Sequence, residues 1–242
     1  MQLAPCLPEG AVCLSIAKGL DASARTPAQI FEHVLGANHH WGLVCGPMIA
    51  RELAAGKAGF GVLAAPTATA RAAVDLFAGT QLGLVADDDV HGSAWAVVLK
   101  NVYVPLVGAA DALRLGDNMR GFLFTEAVAE LEQIVTAMGG RPASARGLAG
   151  LGDLVTSATS ESSHHRTIGG EIVSGRSDSV ADSGDYIRSE GVHTARALRE
   201  HALIHPGHYP LFDLACGFLE GALSLNDALG DYIRCRFSVG HA

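Results

Sequence analysis

One lysine lies in an apolar segment of this 242-residue chain, and one aspartate lies in a glycine-rich turn further along. Lys100 belongs to the stretch WAVVLKNVYVPLVGAADALRLGDN at residues 95–118, and Asp153 belongs to GLAGLGDLVTSATSESSHHR at residues 147–166. Burying a lysine is costly unless its charge is paired or used. A lysine and an aspartate that meet in a partly dry cleft are typical of proton transfer. The alternatives are a snorkelling helix lysine and a helix-capping aspartate.

The elements that must position this pair form an α/β part followed by an all-helical part. Short apolar runs predict strands at residues 11–17, 41–45, 59–65 and 82–86, with helices between them at 26–35, 48–55 and 68–77. This alternation is typical of half of a doubly wound sheet. From about residue 90 the pattern predicts helices at 94–112, 119–138, 192–202 and 211–220, a glycine-rich then helical segment at 145–158 and a polar loop at 177–185.

We therefore expect two domains, a truncated Rossmann-like domain at residues 1–89 and an all-helical domain at residues 90–242. Pro105 predicts a kink or break in the first long helix, because proline removes a backbone donor there. A half sheet leaves a strand edge open to pairing with another chain. We expect a homo-oligomer or a protein partner to cover that edge; a loop over the edge is the alternative.

Composition excludes several classes of function. The chain has 17 Lys and Arg against 25 Asp and Glu, a net charge of −8, and no basic stripe, so nucleic acid is not an expected partner. The five cysteines contain no CxxC pair, which disfavours structural zinc or a disulfide framework and favours a cytoplasmic location. The sequence predicts neither a membrane span nor a signal peptide. His201, His205 and His208 lack further ligands at metal-site spacing, so we expect no metal.

A series of short motifs resembles the NAD(P)-dependent glycerol-3-phosphate dehydrogenase family. The motifs are AKGL at 17–20, CGPMIARELAAG at 45–56, LKN at 99–101, LGDN at 115–118, GLAGLGDL at 147–154 and SEGVHTARAL at 189–198. The resemblance implies a partial Rossmann-like sheet followed by an all-α domain of the 6-phosphogluconate dehydrogenase-like C-terminal type. The sequence contains no GxGxxG loop after a first strand. We therefore expect weak or absent dinucleotide binding by this chain alone.

The resemblance also implies an activity in carbohydrate and glycerophospholipid metabolism. This is hydride transfer between NAD or NADP and the pair glycerol 3-phosphate and dihydroxyacetone phosphate. Lys100 would exchange the proton, and Asp153 would orient Lys100. The implied substrate contacts are Lys18, Gly46, Asn101, Ser163, His164, His165 and Arg166, and the implied cofactor contacts are Ala50 and Glu190.

Some positions depart from the family pattern. His164 and His165 stand within a motif that in the family reads Ser-Arg-Asn-Arg, and Met48 replaces a small hydroxyl residue. Glu126 stands where the family has arginine. Arginine matches a phosphate with a planar fork, whereas a neutral imidazole offers one donor. Two alternatives to an ordinary dehydrogenase therefore stay open, namely a catalytically impaired homologue that acts as a binding or assembly module, and an enzyme of altered substrate specificity.

Overall fold

A computed structural model describes residues 4–37, 39–176 and 190–238 of the chain. The α/β part contains β1 (Val12–Ser15), α1 (Pro27–Leu35), β2 (His40–Cys45), α2 (Ala50–Ala54), β3 (Gly59–Ala64), α3 (Thr67–Asp75) and β4 (Leu82–Asp87). The helical part contains α4 (Val90–Ala112), α5 (Asp117–Ala137), α6 (Pro142–Arg146), a π-helical turn (Leu148–Gly152), α7 (Asp153–Thr159), α8 (His164–Val173), α9 (Glu190–Glu200), α10 (Pro210–Leu219) and α11 (Leu225–Ser238). The fold class predicted from the sequence is confirmed. The polar loop predicted at residues 177–185 lies outside the described residues.

The four strands form one sheet in the order β1-β2-β3-β4. The outer pairs β1–β2 and β3–β4 are parallel, as helical crossovers require, whereas β2 and β3 are antiparallel. The sequence did not predict this reversal. It follows from the connection, since α2 has only five residues and the Phe60 amide donates to the Pro47 carbonyl at 3.1 Å. The chain therefore turns back directly after β2.

Contacts between Cα atoms group the chain into two compact units. The first comprises Met1–Lys100 and Leu131–Thr156, and the second comprises Asn101–Glu130 and Ser157–Ala242. Helices α4 and α5 each contribute residues to both units. The predicted boundary at residue 89 stays a prediction, while this grouping assigns the first part of α4 to the unit that contains the sheet.

The first unit packs small and branched side chains between the sheet and its helices. Its buried cluster consists of Val44, Leu63, Ala65, Ala70 and Ala73. Alanines on α3 bring that helix close to the strands, which suits a sequence with few aromatic residues.

Helix α4 is continuous over 23 residues and passes through Pro105, so the predicted break is wrong. Nearly every residue from Ala94 to Ala110 is buried, and this packing maintains the helix where proline removes one hydrogen bond. Among the described residues, α4 is long and apolar enough to cross a membrane, but its apolar window is fully buried. An apolar helix that is buried all round is typical of a protein core.

In the second unit, two glycines allow α8 to cross α4 at close range. A Cβ at Gly108 would lie 2.0 Å from the Arg166 carbonyl oxygen, and a Cβ at Gly169 would lie 2.0 Å from the Pro105 carbonyl oxygen. No larger residue fits either position without moving a backbone. The start of α8 is therefore fixed against α4.

A buried carboxylate organises the start of α10. Glu130 accepts hydrogen bonds from the Leu211 amide at 2.6 Å, the Phe212 amide at 2.7 Å and the Tyr103 hydroxyl at 3.1 Å. These amides lie in the first turn of the helix and have no partners within it. Glu130 thus caps α10 from α5, a role normally taken by a local side chain.

Candidate active site

Two lysines share one carboxylate oxygen in the first unit. Lys18 Nζ lies 2.8 Å and Lys100 Nζ lies 3.2 Å from Asp153 Oδ2. The side chains of Lys100 and Asp153 are 2% and 4% exposed, whereas that of Lys18 is 26% exposed. The structure therefore brings together three of the residues predicted from the sequence, and it leaves Lys18 as the member nearest to solvent.

Three local structures position these side chains. Lys18 follows β1, Lys100 lies midway along α4, and Asp153 begins α7 directly after the π-helical turn. Glycine is required in that turn, because a Cβ at Gly150 would lie 2.0 Å from the Ala145 carbonyl oxygen. A π-helical turn re-aims the residues that follow it and is frequent at functional sites. Asp153 is consequently buried as an ion-pair partner and not used as an exposed helix cap.

The charges in this trio determine the state of the aspartate. Burial alone would raise the pKa of Asp153, but the ammonium groups of Lys100 and Lys18 outweigh burial and lower that pKa below its usual value. With all three groups ionised the trio carries one net positive charge. One net positive charge thus lies beside the buried carboxylate.

Cys45 ends β2 and lies within the electrostatic influence of the trio. Burial raises the pKa of its thiol to about 12, despite the nearby positive charges. The Cys45 thiol is thus buried and protonated, and it does not act as a nucleophile. Sequence reasoning did not connect Cys45 with the lysines, since only the folded sheet brings the end of β2 to them.

Gly46 and Ala50, the predicted contacts that follow β2, have different surroundings. Gly46 has a φ of +143°, and a Cβ there would lie 2.6 Å from the Phe60 carbonyl oxygen. The backbone therefore explains this glycine without any ligand. Ala50 is exposed at the first residue of α2. Neither residue is among the ion-paired groups of the first unit.

A second polar cluster lies in the second unit. Asn101 Nδ2 donates to Glu190 Oε2 at 3.4 Å, and His165 Nε2 lies 3.8 Å from the same oxygen. Asn101 is fully buried, and its Oδ1 atom has no donor among the described residues. An amide oxygen buried in this way calls for a hydrogen-bond donor from elsewhere.

The arginine after the two histidines makes a contact that sequence reasoning missed. Arg166 Nη2 lies 3.0 Å from Asp111 Oδ2, and Arg120 binds the other oxygen of Asp111 at 2.7 Å. Ser163 caps α8 by accepting from the Arg166 amide, and His164 is exposed. The Arg166 guanidinium is thus engaged by a carboxylate 55 residues away, for which the sequence offers no local signal.

This arrangement suits acid–base chemistry better than metal chemistry. The buried lysine can give and take a proton, the aspartate fixes its position, and the second lysine supplies positive charge. Within the described residues, no group of three or more His, Cys, Asp or Glu side chains could hold a metal ion.

Comparison with known proteins identifies the family. Residues 89–230 match the family model for the NAD-dependent glycerol-3-phosphate dehydrogenase C-terminus, and residues 1–71 match the model for its N-terminus. The first match alone spans more than half of the chain. The chain belongs to the NAD-dependent glycerol-3-phosphate dehydrogenase family.

Curated relatives of the dehydrogenase family agree with this assignment. Glycerol-3-phosphate dehydrogenase [NAD(P)+] 2 of Sphingopyxis alaskensis is 35% identical over 210 residues, which cover 84% of this chain and 63% of the relative. Glycerol-3-phosphate dehydrogenase [NAD(P)+] of Mycobacterium avium is 37% identical over 192 residues, which cover 78% of this chain and 56% of the relative. The chain spans less than two thirds of the length of these two dehydrogenases.

Solved dehydrogenase structures share the fold. Glycerol-3-phosphate dehydrogenase of Coxiella burnetii superimposes with a TM-score of 0.84 at 25% identity, covering 96% of this chain and 71% of that protein. DsGPDH of Dunaliella salina gives a TM-score of 0.79 at 20% identity, covering 94% of this chain and 42% of that protein. At 20% identity, the second likeness shows a shared fold.

Proposed function

We propose that this chain carries the acid–base centre of an NAD(P)-dependent glycerol-3-phosphate dehydrogenase. The proposed reaction interconverts glycerol 3-phosphate and dihydroxyacetone phosphate. The observation that supports it most strongly is the buried contact between Lys100 and Asp153, with Lys18 on the same carboxylate oxygen. A buried lysine that is both paired and under like charge is suited to exchanging a proton with a substrate hydroxyl.

The proposed chemistry is a balanced alcohol oxidation. Neutral Lys100 takes the proton of the secondary hydroxyl, a hydride leaves the carbon that bears it, and a carbonyl double bond forms. In the reverse direction, protonated Lys100 gives its proton to the carbonyl oxygen as the hydride arrives. Asp153 stabilises the ammonium form of Lys100, and Lys18 stabilises negative charge on the substrate oxygen.

The family implies NAD or NADP as the cofactor. The residues present fit the reacting end of this group, since a buried lysine–aspartate pair is the proton partner that hydride transfer at an alcohol carbon needs. When bound, NAD(P) accepts the hydride in the oxidation and supplies it in the reduction. Glu190 and Ala50 stay proposed cofactor contacts on the resemblance alone. Weak dinucleotide binding by this chain stays a prediction, and calorimetric titration with NADH checks it.

On the family resemblance alone, we propose the start of α8 as a contact for the phosphate of the substrate. Ser163 is its cap, and His164 and His165 are its first residues. The amides of a helix start and its dipole favour an anion, and the imidazoles add donors. Because Arg166 is paired with Asp111, the imidazoles of His164 and His165 are the main side-chain donors at the start of α8. We therefore expect weaker phosphate binding than in relatives that have arginine there. Gly46 stays a proposed substrate contact on the resemblance alone.

Assay of the purified chain tests the proposal directly. Because dinucleotide binding is expected to be weak, the oxidised cofactor is supplied in large excess, and we then expect NADH or NADPH formation, followed by its absorbance, when glycerol 3-phosphate is added at alkaline pH. Consumption of the reduced cofactor with dihydroxyacetone phosphate should follow in the reverse assay. Absence of both activities, in a chain that circular dichroism shows to be folded, would contradict the proposal and favour the binding-module alternative. A homo-oligomer and a cytoplasmic location stay predictions for light scattering and cell fractionation.

A further inference from the structure

Of the two polar atoms of the buried Asn101 amide, only Nδ2 has a hydrogen-bond partner among the described residues. Its Nδ2 atom donates to Glu190 Oε2 at 3.4 Å, while Oδ1 is buried and has no donor among the described residues. The carboxylate of Glu190 only accepts hydrogen bonds, so the end of the amide that faces it must be nitrogen. The chemistry of the pair therefore fixes which way the amide points.

Backbone packing holds this pair in place. Pro105 has no amide hydrogen for the Asn101 carbonyl four residues earlier, so that carbonyl lacks its usual helical partner. Gly191 lies against the same carbonyl, because a Cβ at this residue would be 2.4 Å from the Asn101 oxygen. Glu190 precedes Gly191 at the first residue of α9, so this contact fixes its carboxylate beside the Asn101 side chain.

We propose that Glu190 is a positioning residue, whose carboxylate holds the Nδ2 end of Asn101 so that Oδ1 accepts a hydrogen bond from a hydroxyl of the polyol substrate. This inference rests on the proposed function, and it assigns the substrate class at this point to a hydroxyl and not to a phosphate. A buried acceptor next to a carboxylate repels an anion but binds a hydroxyl donor well. His165 Nε2 lies 3.8 Å from Glu190 Oε2 and is a titratable neighbour of the pair.

Such a contact should discriminate strongly between the substrate and analogues that lack the hydroxyl. A site that hydrogen-bonds a hydroxyl rejects an analogue without it, because the buried acceptor is then left unpaired. If the Glu190 carboxylate no longer fixes the orientation of the Asn101 amide, binding of the full substrate should therefore weaken more than binding of an analogue that lacks the hydroxyl. A purely structural role of Glu190 would not depend on the ligand in this way.

Calorimetric titration of the whole chain, with and without NAD⁺, tests the inference. The three ligands are glycerol 3-phosphate, 2-hydroxypropyl phosphate, which lacks the terminal hydroxyl, and 3-hydroxypropyl phosphate, which lacks the secondary hydroxyl. Glu190→Gln lets the amide turn either way, so it should raise the Kd for glycerol 3-phosphate about tenfold. It should leave unchanged the Kd for the analogue that lacks the hydroxyl bound by Asn101 Oδ1, because that analogue makes no contact with the amide. Glu200→Gln, which changes an exposed glutamate at the other end of α9, is the control and should alter nothing.

A double-mutant cycle separates positioning from structure. Asn101→Ala should raise the Kd for glycerol 3-phosphate, and adding Glu190→Gln should have no further effect, since there is no amide left to orient. Equal weakening of all three ligands by Glu190→Gln, additive effects in the double variant, or no binding of glycerol 3-phosphate by the wild type would each overturn the inference. The predicted binding pattern in a chain without turnover would contradict only the proposed function.

Discussion

Lys100 Nζ lies 3.2 Å from Asp153 Oδ2 in the interior of the first unit, and both side chains are almost fully buried. An ion pair of this kind costs desolvation energy that its attraction barely repays, so stability alone is a poor reason for it. Lys18 joins the same oxygen at 2.8 Å and gives the group an excess positive charge. The arrangement is better explained by proton exchange, and it leads to the following expectations.

Removal of the carboxylate should destabilise the fold strongly at neutral pH. Asp153→Asn leaves a buried ammonium without its counter-charge, and we expect the free energy of unfolding at pH 7 to fall by about 3–5 kcal/mol. Because the pKa of Asp153 is lowered in the folded state, its stabilisation is present above the usual aspartate pKa and is lost as the pH falls. The difference between wild type and variant, measured by urea unfolding, should therefore shrink below about pH 4.

The control for this variant is Asp117→Asn. Asp117 pairs with Arg120 at 2.7 Å, but its side chain is 91% exposed, so its removal should cost little. Equal losses in the two variants, or a difference for Asp153→Asn that does not depend on pH, would contradict the account of a buried pair.

Replacing Lys18 should change the pH profile of the reaction. Lys18→Met removes one positive charge next to the proton-exchanging lysine, so substrate oxidation should require a higher pH. We expect the acid limb of kcat/KM to move to higher pH. Lys57→Met is the control, because Lys57 pairs with Glu52 at the surface. An unshifted limb in the Lys18 variant would exclude this electrostatic role.

An arginine at the start of α8 should strengthen phosphate binding. His164 is exposed there, and His164→Arg supplies a permanent charge and a planar pair of donors. We expect the KM for glycerol 3-phosphate to fall about tenfold, which corresponds to one charge-assisted hydrogen bond. His201→Arg makes the same change at an exposed residue after α9 and should leave the KM as it is. A KM that does not respond to His164→Arg would place the phosphate elsewhere.

The capping carboxylate of α10 should make stability depend on pH between about 4 and 7. Burial raises the pKa of Glu130 from 4.5 to about 6, although the helix amides and Tyr103 oppose it. The folded state therefore holds a proton that the unfolded chain has released, and the free energy of unfolding falls by about 2 kcal/mol as the pH rises through this range. Urea unfolding at several pH values should show this slope in wild type and a smaller one in Glu130→Gln. Identical slopes would contradict the raised pKa, and Glu132→Gln, which alters a less buried neighbour, should keep the wild-type slope.

Much of the fold could be predicted from the sequence, because short apolar runs and glycine or proline stops carry strong local signals. All four strands and the long helices at 90–112 and 117–137 appear where the periodicity indicates them. The reversal between β2 and β3 could not be predicted, since strand direction depends on how a short connection packs. Helices α8 and α11 were missed, because the hydroxyl-rich and charged residues at 157–166 and 225–238 resemble loops without their tertiary contacts.

The candidate site divides in the same way. The sequence indicated Lys18, Lys100 and Asp153, because each lies within a motif that resembles the family. The structure brings their charged atoms together. The contact between Arg166 and Asp111 could not be found, since nothing in either segment points to the other. It depends on the close crossing of α8 over α4, which two glycines permit.

The most direct test of the acid–base centre is the activity of Lys100→Arg. Arginine keeps the positive charge beside Asp153 but does not release a proton near neutral pH. We expect the kcat for glycerol 3-phosphate oxidation to fall at least ~100-fold while the variant stays folded, whereas Lys57→Arg keeps wild-type activity. A Lys100→Arg variant that turns over at the wild-type rate, with an unchanged pH profile, would show that Lys100 is not the proton-exchanging residue.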